Sequence, residues 1–94
     1  LDTFTLWTDV LQYLGEFDTA IEILLEACNV LPDEYEMEYR LAGLYFLTDD
    51  VTKGNLHLIN GMKLEPKHLS LFQELFPVVW ERTEVQNTIA KFKK

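Results

Sequence analysis

The residue types that most often carry chemistry are sparse in this sequence and poorly spaced for it. Its 94 residues include two histidines, His57 and His68, and one cysteine, Cys28. Neither histidine has a carboxylate or a cysteine at metal-ligand spacing, and Cys28 follows an apolar run in which it suits a small buried filler. No glycine-rich phosphate loop or nucleophile elbow is present. The sequence therefore predicts a protein that is not an enzyme and holds no cofactor and no metal.

Charge is distributed unevenly along the chain. Residues 1–50 contain twelve acidic residues and one basic residue, Arg40, whereas residues 51–94 contain four acidic and seven basic residues, so the two halves carry -11 and +3. The formal net charge of -8 disfavours nonspecific attraction to phosphate backbones and to anionic lipid. We therefore expect neither nucleic acid nor membrane as a partner, and we expect the first half to attract basic ligands.

The sequence carries little information about where the protein is located. No apolar run approaches the ~20 residues that a membrane-spanning helix needs, and no secretory signal pattern is present. The single cysteine cannot form an internal disulfide, so it gives no sign of an oxidising compartment. A cytoplasmic location is the expectation.

A 34-residue repeat organises the sequence. Shifting the chain by 34 positions superimposes Pro32 on Pro66 and Leu24 on Leu58, and a fixed period of this length is typical of stacked helical modules. Apolar residues at steps of three and four predict two helices in each unit, about six in all. The units are residues 1–34, 35–68 and a divergent or partial third at 69–94, which together form one domain.

Local signals predict where these helices begin and end. Asp18 is the expected N-cap of the second helix, and Asp33 with Glu36 forms a capping box that opens the third. Pro77 is expected to kink or end the fifth helix, which starts near residue 67. The fourth helix, from about residue 52 to 64, contains two glycines that fall 34 positions after alanines, and this indicates a close approach of helices there. These are Gly54 and Gly61.

The repeat resembles the tetratricopeptide repeat, a helix-turn-helix unit of 34 residues. The family pattern is matched in the first copy by Trp7, Leu11, Ala20, Leu24 and Pro32, and in the second by Leu41, Tyr45, Gly54, Leu58 and Pro66. In the third copy Phe76 stands where a small residue is usual. The resemblance implies an all-α, right-handed solenoid whose concave groove binds a peptide or a partner's helix without catalysis.

In this family the first helix of each hairpin lines the groove. Helical spacing then gives eight candidate binding residues: Asp9, Gln12, Glu36, Tyr39, Arg40, Gly43, Phe46 and Trp80. The acidic members would select a basic segment, the aromatic members would supply apolar contacts, and Gly43 would leave room for a docking side chain. Alternatively, the aromatic residues pack between hairpins, the acidic residues form a solvated face, and Arg40 pairs with Glu36 or Asp9.

Two further functions remain open at this level. The -11 half of one molecule could meet the +3 half of another, which would make the chain a self-associating, homo-oligomeric segment. The chain could also serve as a scaffold or regulatory part of a larger protein.

Overall fold

The computed structural model describes the backbone of residues 2–93 and the side chains of residues 6–93. Within these limits the chain is all-α and has no strand. Seven α-helices and one short 3-10 helix, Pro66–His68, follow one another along the chain. The α-helices are α1 (Asp2–Tyr13), α2 (Phe17–Val30), α3 (Tyr35–Leu47), α4 (Val51–Leu64), α5 (Leu69–Leu75), α6 (Pro77–Trp80) and α7 (Thr83–Lys93).

Helix α3 lies at the centre of the packing. It contacts α2, α4, α5 and α6, while α1 packs against α2 and α7 packs against α4. Every residue from Tyr39 to Phe46 is buried, and so is Met37. Because α3 has neighbours on most sides, it buries residues all round rather than along one stripe.

Two of the predicted caps are wrong. Helix α2 begins at Phe17, so Asp18 lies in its first turn. There its carboxylate interacts favourably with the positive end of the helix dipole but does not cap a backbone amide. Asp33 has a φ of 65° and stands outside α3, which begins at Tyr35 with no side-chain cap. Asp50 provides the side-chain cap of α4, because its carboxylate accepts a hydrogen bond from the Lys53 amide at 3.2 Å.

The expected effect of Pro77 is confirmed. Helix α5 ends at Leu75 and Pro77 starts the short helix α6, since proline has no amide hydrogen and disfavours a helical residue before it. Phe76, at this break, has an extended φ of -134°. This break adds a helix to the six that the sequence predicts. It also turns Phe76 and Val79 into the core and leaves Val78 in solvent.

Candidate protein-binding surface

Three of the predicted binding residues form one charged cluster that joins two hairpins. The Arg40 guanidinium on α3 contacts Asp9 of α1 at 2.5 Å and Glu36, one turn earlier on α3, at 3.2 Å. The Arg40 side chain is almost buried, whereas the Asp9 side chain is half exposed. The pairing that the sequence left as an alternative is therefore confirmed, and Arg40 is not free to bind a partner's carboxylate. The cluster carries a formal charge of -1.

Three other predicted binding residues, Tyr39, Gly43 and Phe46, lie in the core. The Phe46 and Tyr39 side chains are fully buried, so the alternative interpretation, packing between helices, describes them. The room beside Gly43 is already filled from within the chain: a Cβ atom there would lie 2.2 Å from the ring of Phe76. These residues leave no side-chain surface for a partner.

The buried rings explain the two glycines of α4. A Cβ atom at Gly54 would lie 3.0 Å from the Phe46 ring, and one at Gly61 would lie 2.7 Å from the Tyr39 ring. The expectation that smallness is needed at these positions is confirmed. The Tyr39 hydroxyl also donates a hydrogen bond to the Glu65 carbonyl at 2.9 Å, and burial, with the Glu65 carboxylate as a smaller cause, raises the pKa of Tyr39 to about 12.

An open apolar cavity lies where α1, α3 and the α5–α6 break meet. It has a volume of about 180 Å³. One polar residue of α1, Gln12, lines it together with six apolar residues: Leu47, Leu75, Phe76, Pro77, Val78 and Val79. Gln12 is the predicted binding residue that reaches this cavity. Val78 at its edge is 76% exposed, so its side chain is free to contact a partner.

Trp80, the last predicted binding residue, is half-buried and lies apart from the cavity lining. Its ring packs against Phe72, with 6.3 Å between the ring centroids. It therefore contributes mainly to the packing between α5 and α6. The aromatic contacts expected from Tyr39 and Phe46 are internal packing, and the accessible apolar surface of this cavity comes mainly from aliphatic residues.

Several acidic residues stand close to cavity-lining residues along the chain. Asp9 lies one turn before Gln12 on α1, and the exposed residues Asp49, Glu74 and Glu81 follow or precede cavity residues closely along the chain. The nearby guanidinium of Arg82 is occupied, because it donates to the Phe46 carbonyl at 2.7 Å and lies 3.7 Å from the Asp49 carboxylate. The surface can thus hold an apolar side chain and attract positive charge next to it.

The groups with potential reactivity lie elsewhere. His57 is largely buried: its Nδ1 lies 2.6 Å from a Glu38 carboxylate oxygen, and its ring stacks on Tyr45. Burial, followed by the nearby Glu38 carboxylate, raises the pKa of Cys28 to about 11. Its thiol is therefore protonated and weakly nucleophilic at neutral pH. His68 is exposed and packs against the ring of Tyr35.

Among the described residues no group of three or more histidine, cysteine, aspartate or glutamate side chains is arranged to hold a metal ion. None of the helices in that part of the chain combines the length and the apolar character that crossing a membrane requires.

Sequence reasoning missed most of the cavity lining. In the sequence, Leu47 and Leu75 look like ordinary core positions. Val78 lies next to two other apolar residues, and periodicity does not show which of them is exposed. The available signal was Pro77, because a helix break inside an apolar segment exposes residues that an unbroken helix would bury. Comparison of the chain with protein-family models, with curated proteins and with solved structures gave no match.

Proposed function

We propose that the chain is a non-enzymatic protein-interaction module, built of tetratricopeptide-like hairpins in a right-handed solenoid, that binds a peptide or partner helix on the side of α1, α3 and α5. The helix contacts support this arrangement. The first helices of successive hairpins are neighbours, through the Asp9–Arg40 ion pair and through the α3–α5 packing, and the second helices α4 and α7 also pack together.

The observation that carries the proposal is the open apolar cavity, in a chain whose formal net charge is -8. Its volume of about 180 Å³ is below the ~300–1,000 Å³ of small-molecule pockets, and it suits one apolar side chain of a larger ligand. The negative charge of residues 1–50, which is -11 in all, favours lysine or arginine next to that side chain. The partner is thus a protein segment in which a bulky apolar residue is flanked by basic ones.

A display experiment with random peptides tests this directly. Peptides selected on the 94-residue chain should be enriched in a bulky apolar residue with neighbouring lysine or arginine. Val78→Lys should weaken their binding at least about tenfold, equivalent to ~1.4 kcal/mol, because the new ammonium blocks the cavity edge and repels the basic ligand. Circular dichroism should show unchanged helix content, since Val78 is exposed.

The matched control is Val30→Lys. Val30 is a helical valine of similar exposure, 68%, at the end of α2, and the substitution changes the net charge by the same amount. Binding to this variant should stay within twofold of the unmodified chain. Failure to enrich any peptide, or equal loss of binding in both variants, would contradict the proposal.

The acidic surface is tested by neutralisation rather than reversal. Asp9→Lys with Glu36→Lys would reverse two of the acidic candidate residues, but it would also break the ion pairs of Arg40. Glu74→Gln with Glu81→Gln removes two exposed charges that flank, along the chain, the cavity-lining residues 75–79, and it should weaken binding in a salt-dependent way. The control on α2, Asp18→Asn with Glu22→Gln, should have a smaller effect at every salt concentration.

A further inference from the structure

The outer face of α1 is apolar and uncovered. Thr8 is buried on the opposite side of the helix, towards the rest of the protein. Among the α1 residues whose side chains the structure describes, five large apolar residues on the outer side are each more than half exposed: Leu6, Trp7, Val10, Tyr13 and Leu14. We call this set the α1 face. Together these side chains expose a patch on the order of several hundred Å², which soluble monomers rarely leave unless it is an interaction site.

The surroundings of the α1 face are acidic. Residues 1–30, which include α1 and α2, contain six acidic residues and no basic one. A symmetric contact between two α1 faces would therefore bring two negative hairpins together. Such like-charge juxtaposition opposes binding, so the charge pattern favours a basic surface as the occupant.

A basic, partly apolar groove lies between α4 and α7 of the same chain. It has a volume of about 400 Å³ and is lined by Asn55, Ile59, Thr88, Lys91 and Phe92; we call it the α4–α7 groove. The Thr88 hydroxyl donates to the Asn55 side chain at 2.7 Å, which ties the two helices together. Leu56, on α4 one turn before Ile59, is 54% exposed. The last turn of α7 carries Lys91 and Lys93.

We propose that the α1 face of one copy docks in the α4–α7 groove of a second copy. Apolar surface then meets apolar surface, and the acidic first hairpin meets the lysines of α7. Tyr13, which is 90% exposed, is the α1 residue best placed to insert into the groove. The contact uses different surfaces on the two copies, so it produces rings or open chains rather than a closed two-fold dimer.

Sedimentation velocity over a range of concentrations tests the proposal. The unmodified chain should associate beyond a dimer at 50 mM salt, and its apparent affinity should fall at least tenfold at 500 mM salt because the contact is guided by charge. Tyr13→Lys removes the inserting side chain, and Leu56→Glu with Lys91→Glu reverses the groove. All three substituted residues are exposed, so each variant should keep its helix content and should be monomeric.

Mixing the two variants distinguishes this contact from others. The Tyr13→Lys variant keeps an intact groove and the groove variant keeps an intact α1 face, so an equimolar mixture should form a 1:1 heterodimer and nothing larger. Association of the groove variant alone, monomeric behaviour of the unmodified chain at high concentration, or no heterodimer in the mixture would overturn the proposal. The Val78→Lys variant should associate like the unmodified chain, because Val78 belongs to neither the α1 face nor the α4–α7 groove. The outcome of this experiment therefore does not depend on whether the chain binds peptides.

Discussion

Replacing Gly43 by alanine tests the central packing of this protein. In the structure a Cβ atom at this position would lie 2.2 Å from the Cδ2 and Cε2 atoms of the Phe76 ring. The ring is 3% exposed and packs against Phe72 at a centroid distance of 5.8 Å. Because the ring is enclosed, it cannot move away without disturbing its neighbours.

Two opposing effects determine how much Gly43→Ala changes the free energy of unfolding. Alanine is favoured over glycine in a helix interior by about 1 kcal/mol, whereas overpacking a core costs about 1–3 kcal/mol. Since the overlap at Gly43 is more severe than an ordinary close contact, we expect the upper part of that range and a net loss of about 1–2 kcal/mol. For a domain of this size, this corresponds to a melting temperature lower by roughly 4–16 °C.

Urea unfolding followed by circular dichroism measures this loss. Ala90→Gly, at an exposed position of α7, is the control for helix propensity alone and should cost about 1 kcal/mol. Phe76→Leu should relieve the overlap, so the double variant should be less destabilised than the sum of the two single changes. If Gly43→Ala stabilised the protein by as much as Ala90→Gly destabilises it, the Phe76 contact would not exist.

Three further predictions concern polar groups. Tyr39→Phe should lower the free energy of unfolding by about 0.5–1.5 kcal/mol, because the Glu65 carbonyl loses its hydrogen bond; urea denaturation measures this. Arg40→Met should lower the free energy of unfolding by about 1–2 kcal/mol at low salt and by less at 0.5 M salt. Equal losses at the two salt concentrations would contradict an ionic role for Arg40. The pKa of Cys28 rises on folding from 9.0 to about 11, so the folded state holds the thiol proton more tightly than the unfolded state. The free energy of unfolding should therefore fall as the pH rises from 9 to 11, and this loss should be absent below pH 9. Cys28→Ala should reduce that alkaline loss in urea titrations at pH 8 and pH 10.5.

Helix positions followed closely from the sequence, because the 3.6-residue period and the turn residues are local properties. Helix α4 begins within a residue of the expected position, α2 begins two residues before the start that an Asp18 cap implies, and the break at Pro77 is where proline chemistry requires it. The capping box failed for a reason that local pattern does not reveal. Asp33 adopts a left-handed conformation in the turn, and the Glu36 carboxylate pairs with Arg40 instead of reaching back to a backbone amide.

The candidate site was less predictable. Helical spacing placed Asp9, Glu36 and Arg40 on one side, and the structure brings them together. The same spacing placed Tyr39 and Phe46 beside them, yet both are fully buried. Their burial depends on rings fitting over the glycines of α4, a contact between helices that no period within α3 encodes.

The sequence by itself determined an all-α chain, the approximate bounds of its helices and the separation of negative charge from positive charge. These depend on local propensity, on proline and glycine, and on counting charges. Only the tertiary structure decided which faces of those helices are covered. Helix α3 is surrounded by neighbours and buries most of its residues, whereas α1 has neighbours on one side and exposes its apolar face. Burial depends on how many elements surround a helix, and that number is a property of the assembled chain.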